Sequence, residues 1–540
     1  MKKAIGAVLM LIMVLTFSVQ HSSAQSGPFS IYLQPAGITG LPGIQAYVWG
    51  QHEGRWLVMG GRLDGLHRRQ ASSAFDVAGN NNRIYVIDPV AGQQWSAPLT
   101  ALPVALQEQL SATNMQFHQR DTILYCIGGY GYSATAADHI THSNIVAVNV
   151  PRVIDAVIGG TSVAPYFRYQ TDVRFAVTGG HLEQIYDTWY LLGGNRFDGR
   201  YNPMGGPSYT QVYTNEARRF TIADDGTTFT VTHLPYYNDT AAFHRRDYNA
   251  VPQILPDGKE GITVFSGVFQ LTADIPYLNS VTVDSAGYAI NTGFSQYYNH
   301  YHSAVMPVYS AAAHEMHNIF FGGIAQYYDN AGTLTEDNNV PFVKTIARVT
   351  RDAAGTMTEY KLPVEMPGLL GASAEFIPAE GIPAYHNHVL KLDDITADTT
   401  LAGYIFGGIS STAPNIFTTN TGTQSSAYSQ LIKVYLVKNS STTQADALNP
   451  QSTGTLRLQL YPNPSDGNIY LKFNSGTATH ATLTVADVNG RVISRREYRT
   501  LAAGDNLIRY AIEEPTPDGT YVITLTTPEA SSTQRIVIKK

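Results

Sequence analysis

Short apolar segments that end in two glycines recur along most of the chain. In one of them, Leu124-Tyr125-Cys126-Ile127 precedes Gly128-Gly129. A short apolar run closed by turn residues is typical of a buried β-strand. The glycine pairs are Gly60-Gly61, Gly128-Gly129, Gly193-Gly194, Gly322-Gly323 and Gly407-Gly408, and a degenerate sixth copy ends in Ser266-Gly267.

Each unit contains further segments with strand character around the glycine strand. One is rich in β-branched residues, as in Asn144–Asn149, and a later one often ends in Leu-Pro, as in Thr358–Pro363. Four short strands per unit, separated by turn residues, are typical of a propeller blade. The sequence therefore predicts an all-β fold, a six-bladed β-propeller followed by a small C-terminal β-sandwich.

The units resemble kelch repeats, in which a glycine pair follows an apolar strand and an aromatic-bearing strand lies downstream. We assign residues 25–438 to this kelch-like propeller. The units are longer than the roughly 50 residues of a kelch repeat. The difference predicts long loops between strands, such as the segment from Gly194 to Thr214.

The beginning of this region predicts how the ring closes. Phe29–Pro35 resembles the Leu-Pro outer strands, yet no blade precedes it, and the last unit lacks an outer strand. We therefore expect Phe29–Pro35 to lie beside Leu431–Val437 in the sixth blade. Such a closure leaves no open sheet edge between the first and last blades.

Composition narrows the classes of partner. The 540 residues carry a formal net charge of −7 and contain no long basic run, which argues against nucleic acid as a partner. Cys126 is the single cysteine, so an intrachain disulfide is impossible, and its apolar context predicts a buried residue.

Two segments of the chain are not predicted to belong to a folded domain. Residues 1–24 have two lysines, an apolar run and a small-x-small site, and we read them as a secretory signal peptide. No later segment is long and apolar enough for a bilayer span, so we expect no transmembrane segment in the mature chain. Residues 439–455 are rich in Ser, Thr, Asn and Gln and are predicted to be a linker.

Residues 456–540 predict a separate small β-domain. This segment resembles the C-terminal sorting domain of the type IX secretion system of Bacteroidetes. The resemblance implies recognition by the type IX machinery and passage through the periplasm to the outer cell surface or the medium. An accessory carbohydrate-binding sandwich is the alternative. The matching residues are Tyr461, Pro462, Asn463, Pro464, Gly467, Asp487, Gly490, Arg491, Gly519 and Tyr521.

An aromatic–His step recurs before several glycine strands and is the candidate site. If these steps lie on innermost strands, their side chains converge on the axial channel and could bind an anionic or hydroxyl-rich ligand. Three interpretations stay open: a ligand site, a divalent-metal site, or histidines that only brace their own blade. The candidate residues are His118, Arg120, His244, Arg246, His302, His386 and His388.

The long loops after the glycine pairs are a second candidate surface. Gly61–Arg69 and Gly194–Tyr201 share an Arg/Asp/Gly pattern, and loops on a rigid scaffold often bind ligands. The alternative is a solvated turn held by a local Arg–Asp pair.

The sequence leaves open whether the propeller is catalytic. It contains no Gly-x-Ser-x-Gly elbow, no His-Glu-x-x-His and no phosphate loop. We therefore assign no catalytic residue, metal or cofactor, and expect an extracellular binding or adhesion module for a glycan or protein. The alternative is a carbohydrate-active enzyme, a lyase, epimerase or glycosidase with an axial active site.

Overall fold

The computed structural model describes residues 27–205, 208–330, 333–438, 458–475, 477, 479–487, 492–512, 517–528 and 531–539. These residues form two compact units that divide at residue 440. The predicted signal peptide (1–24) and linker (439–455) lie outside the described residues.

The first unit contains six four-stranded antiparallel sheets, numbered here as blades 1 to 6 in chain order. The strands of each blade are given from the innermost strand outward. Blades 1 to 3 comprise Val48–His52, Arg55–Met59, Arg83–Asp88 and Gln93–Pro98; Gln116–Arg120, Ile123–Ile127, Asn144–Asn149 and Phe167–Thr171; His181–Ile185, Thr188–Leu192, Glu216–Asp224 and Phe229–Asn238. Blades 4 to 6 comprise Asn249–Ile254, Glu260–Phe265, Ser280–Val283 and Tyr288–Asn291; Ala304–Ser310, Glu315–Ile324, Phe342–Arg351 and Met357–Glu365; Leu369–Pro378, Thr399–Ser411, Leu431–Lys438 and Phe29–Pro35.

The sixth blade is completed by the N-terminal strand. Phe29–Pro35 pairs antiparallel with Leu431–Lys438, from Phe29 opposite Lys438 to Pro35 opposite Ile432. Blade 6 also contacts blade 1, because Tyr47 Oη donates a hydrogen bond to Phe406 O at 3.0 Å. The predicted all-β propeller with six blades is thereby confirmed, and so is the strand that closes its ring.

The glycine pairs have a physical role at the end of each second strand. Gly60 and Gly61 have φ angles of 65° and 81°, in the left-handed region that favours glycine. This turn lets the second glycine donate its N–H to the neighbouring blade, as Gly61 N does to Ala112 O at 2.8 Å. Gly129 makes the equivalent bond to Val177 O at 2.9 Å. The repeated pair therefore links adjacent blades.

Other elements connect the strands. Short hairpins leave the glycine ends of blades 2, 3 and 5: Tyr130–Ser133 with Asp138–Thr141, Asn195–Gly199 with Tyr209–Tyr213, and Tyr327–Asn330 with Thr333–Glu336. Two short strands join existing sheets, Ser425–Ala427 in blade 6 and Leu390–Lys391 in blade 5. The α-helices are Val104–Gln109, Val150–Gly159 and Thr240–Phe243, and the 3₁₀ turns are Ala71–Ser73, Val77–Gly79, Leu99–Ala101, Ala164–Tyr166 and Val173–Phe175.

The cores of the propeller lie between neighbouring blades. Leu57 and Met59 of blade 1 pack with Leu124 and Cys126 of blade 2, all buried. The helix Val150–Gly159 covers this cluster with its apolar face. The second strand of a blade, such as Ile123–Ile127, is therefore buried on both faces, whereas an outer strand such as Gln93–Pro98 is largely exposed.

The second unit is a β-sandwich, as predicted. One sheet contains Gln459–Tyr461, Asn468–Ser475 and Gly504–Ala511; the other contains Val492–Leu501, Thr479–Asp487, Gly519–Thr526 and Ser531–Ile538. Leu471 and Leu483 are among the fully buried residues that join the two sheets. None of the helices in the described part of the chain has the length and apolar character of a membrane span.

Candidate functional site

A cavity of about 390 Å³ runs along the axis of the propeller and is lined by the innermost strands of all six blades. We call its two ends the Gly-Gly face, where the glycine pairs lie, and the turn face, where the first and second strands of each blade are joined. Ala46 and Gly179 line the cavity near the Gly-Gly face, and Glu53 and His388 line it near the turn face.

Two Glu–His pairs bridge neighbouring blades inside this cavity. His118 Nδ1 of blade 2 lies 3.1 Å from Glu183 Oε2 of blade 3. His302 Nε2, just before blade 5, lies 3.1 Å from Glu375 Oε1 of blade 6. In a ring of six, blades 3 and 6 are opposite, so the two carboxylates approach the axis from opposite sides.

The surroundings of the two pairs shift the pKa values of Glu183 and His302. Burial raises the pKa of Glu183, and the charge of Glu375 adds to this rise, whereas His118 opposes it. Burial disfavours a charged His302, but the carboxylate of Glu375 prevails and raises the pKa of that imidazole. The pKa of Glu183 is therefore raised on one side of the cavity, and the pKa of His302, beside Glu375, is raised on the other side.

Three further histidines, His52, His181 and His388, line the same cavity. The His181 ring is 5.3 Å from the His302 ring, and burial lowers the pKa of His181 to about 3. His388 is exposed at the turn face, and its ring lies 5.8 Å from the ring of His118. Among the described residues, no group of three or more His, Cys, Asp or Glu side chains is placed to hold a metal ion.

Several polar atoms of the cavity wall are buried without a hydrogen bond. A buried polar atom that lacks a partner costs about 1–3 kcal/mol, which a ligand can recover. The two Glu oxygens in this group are close to an imidazole but are not aligned for a hydrogen bond. Within the described residues the atoms are Trp49 Nε1, Gln51 Oε1, Gln116 Oε1, Glu183 Oε2, Ser303 Oγ and Glu375 Oε1.

One side of the cavity is aromatic. The rings of Trp49 and Phe117 meet edge to face with centroids 6.2 Å apart, and both residues line the cavity. An apolar wall facing convergent polar groups is the usual construction of a small-molecule site.

The structure brings only some of the candidate residues together. His118, His302 and His388 line the axial cavity, whereas the other four candidates do not. Arg120 lies between blades 2 and 3, with its guanidinium 5.5 Å from the Trp189 ring. Arg246 forms an ion pair with Asp247, a carboxylate that does line the cavity.

The two remaining candidates, His244 and His386, do not line the cavity. His244 follows the short helix Thr240–Phe243, so it is not on an innermost strand. Its ring stacks on Tyr213, and its Nδ1 is 2.7 Å from Asn215 Oδ1. His386 is exposed on a loop. The spacing of the aromatic–His steps from their glycine pairs varies between blades, and this variation separates them in space.

Sequence reasoning missed Glu183, Glu375 and Trp49. The sequence does contain a signal for Glu183, which the pairing registers of the strands make visible. Gly50, His118 and Glu183 each lie ten residues before the first glycine of their pair, and they occupy equivalent positions on their innermost strands. Aligning the first three blades by this spacing would have placed Glu183 beside His118.

The second unit matches a known family over nearly its whole length. Residues 459–539 match the family described as "Secretion system C-terminal sorting domain". The C-terminal unit is a type IX sorting domain. This sorting domain marks the chain for handling by the type IX machinery and for export to the outer cell surface or the medium.

The motif residues of the sorting domain have structural partners. Asn463 Nδ2 donates to Arg535 O at 3.0 Å, and Val537 N donates to Asn463 Oδ1 at 2.8 Å. Gly467 has a φ of 107°, and Tyr521 Oη donates to Pro517 O at 2.7 Å. Gly490 and Arg491 lie outside the described residues.

Solved structures give distant matches. YjhT is 10% identical with a TM-score of 0.38, covering 73% of this chain and 97% of that one. A glycoside hydrolase family 43 arabinoxylan arabinofuranohydrolase from Bacillus subtilis is 11% identical with a TM-score of 0.29, covering 94% and 98%. The Bombyx mori GH32 β-fructofuranosidase is 8% identical with a TM-score of 0.24, covering 95% and 88%. At such scores no activity is transferred to this chain. No curated protein matches the sequence.

Proposed function

We propose that the propeller is an extracellular binding protein whose axial cavity takes a small, hydroxyl-rich molecule of mono- or disaccharide size. The observation that carries this proposal is the set of buried polar atoms, Trp49 Nε1 and Gln51 Oε1 among them, that lack hydrogen bonds on the cavity wall. Hydroxyl groups both donate and accept, so one polyhydroxylated ligand can satisfy indole donors and carbonyl or carboxylate acceptors together. The cavity volume of about 390 Å³ lies in the usual range for such ligands.

The Trp49–Phe117 pair and the charge of the cavity wall narrow the class of ligand further. Trp49 and Phe117 offer an apolar surface on which the C–H face of a sugar ring can stack. The residues that line the described cavity include no Lys or Arg, but they include five carboxylates. This charge supports a neutral or amine-bearing ligand over the anionic one that the sequence left open. The carboxylates are Glu53, Glu183, Asp247, Glu375 and Glu380.

Calorimetric titration of the full mature chain with a panel of mono- and disaccharides tests this proposal. Trp49→Ala and Glu183→Gln should each weaken binding of the best sugar at least tenfold, about 1.4 kcal/mol. His386→Ala is the matched control, because His386 is exposed outside the cavity. Unchanged affinity in both cavity variants, or no sugar bound by the wild type, contradicts the proposal.

A carbohydrate-active enzyme, a lyase, epimerase or glycosidase, is the second candidate. It is favoured by one observation, the two carboxylates Glu183 and Glu375 on opposite blades of one cavity. Glu183, with its raised pKa, could donate a proton, and the ion-paired Glu375 could accept one. Paired carboxylates with separated roles are the usual machinery for proton transfer at a sugar.

Product analysis by NMR separates the two candidates. If the propeller is an enzyme, a sugar that binds the wild type is converted, and Glu183→Gln and Glu375→Gln each lower the rate at least a hundredfold. The His386→Ala control should keep the wild-type rate. A bound sugar that stays unchanged after long incubation rejects the enzyme and leaves the binding protein.

The proposal also covers the export route and the type of repeat. We assign residues 1–24 as a cleaved signal peptide, residues 25–438 as a kelch-like propeller and residues 439–455 as the linker to the sorting domain (456–540). The glycine pairs in left-handed turns support the kelch assignment. Mass spectrometry of the exported protein should find Gln25 at its N-terminus, and a retained residue 1–24 segment would contradict the cleavage.

A further inference from the structure

We propose that the axial cavity is a blind pocket, closed at the Gly-Gly face and reached past His388 at the turn face. The inference rests on the proposed function and narrows its ligand class. A blind pocket accepts a free sugar or the terminal unit of a glycan chain, whereas a through-channel would also accept an internal segment. His388 is then the residue that limits what can pass.

Loops from blades 1, 3 and 4 meet over the axis at the Gly-Gly face. The His67 ring of the blade 1 loop lies 5.0 Å from the Tyr201 ring of the blade 3 loop. From blade 4, Arg246 Nε donates to Tyr213 Oη of the blade 3 hairpin at 3.0 Å. Burial lowers the pKa of His67 to about 4, and the charge of Arg246, from the opposite blade, contributes to this shift. We call these loops the cap.

Hydrogen bonds between loops fix the cap in place. Asn420 Nδ2 of the blade 6 loop donates to Leu66 O at 2.7 Å and to His67 O at 3.0 Å. Arg200 Nε of the blade 3 loop donates to Ala74 O at 3.0 Å. The cap is therefore held by bonds among blades 1, 3 and 6 as well as by ring contacts. The Gly61–Arg69 and Gly194–Tyr201 loops, the second surface considered from the sequence, both belong to it.

The turn face is open by comparison. The side chain of Glu53 is 77% exposed and that of His52 is 38% exposed, and both line the cavity at this end. Ala46 and Ser303, at the Gly-Gly end, are buried. This gradient of exposure along one cavity places its opening at the turn face.

A loop found in blade 6 positions His388 at that opening. Leu390 and Lys391 pair in parallel with Val308 and Tyr309 of blade 5, and Leu390 is fully buried. The anchored strand holds the preceding His388, which has a φ of 65°, over the cavity. Because its imidazole lies beside His118, a ligand that reaches the Glu–His pairs must pass it.

Cysteine labelling tests the route without any ligand. Val305→Cys places a thiol on the cavity wall, and Cys126 is buried with a pKa raised by burial, so only the new thiol should react with a methanethiosulfonate reagent. His388→Gly suits the positive φ and should speed the reaction at least fivefold, whereas His386→Gly should leave the rate unchanged. If His388→Gly and His386→Gly give equal labelling rates, the reagent reaches the new thiol by another route and the inference is overturned.

Oligosaccharides test the ligand class. The best monosaccharide of the panel, the same unit at the end of a linear oligosaccharide, and the same unit in a cyclic oligosaccharide without ends are titrated into the full chain. We expect the first two to bind and the cyclic form to bind at least a hundredfold more weakly. Equal binding of the cyclic form refutes the blind pocket but not the binding function. Failure of every sugar refutes the proposed function, while the labelling result still decides the route.

Discussion

The strand that closes the ring should couple the stability of all six blades. Phe29 and Ile31 of the N-terminal strand are 4% and 8% exposed, and they pack into the core between blades 5 and 6. Large-to-small changes at such buried sites cost about 3–5 kcal/mol for Phe→Ala and about 2–5 kcal/mol for Ile→Ala. The double variant Phe29→Ala/Ile31→Ala should therefore lose at least about 5 kcal/mol, a large part of a typical unfolding free energy of about 5–15 kcal/mol.

The single cysteine makes this coupling measurable far from the altered strand. Cys126 lies in blade 2 and is fully buried, so a thiol reagent reaches it only when that blade opens. If the closed ring unfolds as one unit, a loss of about 5 kcal/mol raises the open population by more than about a thousandfold. Cys126 labelling should accelerate by the same factor. Ser30→Thr, a change on the exposed side of the same strand that keeps the hydroxyl, is the control and should label at the wild-type rate.

One result would refute the reasoning. If Cys126 in the double variant keeps its wild-type labelling rate while hydrogen exchange shows that blade 6 is open, the blades unfold independently. The N-terminal strand would then stabilise only its own sheet, and the ring would not be a cooperative unit.

Three further predictions concern single groups. The ring nitrogens of buried His300 contact Gln296 O (2.8 Å) and Gln326 N (3.0 Å), and burial lowers its pKa to about 4. The unfolded chain therefore binds a proton at His300 first as pH falls, so this residue alone should account for about 3 kcal/mol of the stability lost between pH 7 and pH 4 in urea melts, and His300→Gln should lose that much less. Tyr47→Phe should cost about 1–3 kcal/mol in the same assay, because Phe406 O loses its buried donor. Asn463→Ala removes two hydrogen bonds and should lower the melting temperature of the sorting domain by calorimetry, with the propeller transition unchanged.

Much of the fold could be predicted because its signals are local and repeated. An apolar strand followed by two glycines specifies both the strand and the left-handed turn that ends it, whatever the rest of the chain does. The closing strand was predictable for a similar reason, since the last unit lacked the outer strand that Phe29–Pro35 provides. Each of these inferences needed only the residues of one unit and the count of units.

The axial site was predictable only in part, because it depends on contacts between blades. His118 and His302 were found from their aromatic neighbours, but the carboxylates that they face come from other repeats. The sequence also suggested that side chains on one strand face would point at the axis. In the structure the strand edge faces the axis, and the faces point to neighbouring blades. Arg120 therefore packs against Trp189, although it shares a strand with His118.

This orientation explains why the cavity wall keeps polar atoms without partners. Innermost strands of a propeller do not pair with each other across the axis, so long polar side chains must bridge the blades there, as Gln119 does when its Nε2 donates to Gln51 O at 2.9 Å. Such bridges do not satisfy every polar atom of the wall, and Gln51 Oε1 and Glu375 Oε1 are buried without an aligned hydrogen bond. Each such atom lowers stability by about 1–3 kcal/mol. A closed ring with six apolar inter-blade cores can tolerate that loss, and the same atoms are then available to recognise a ligand.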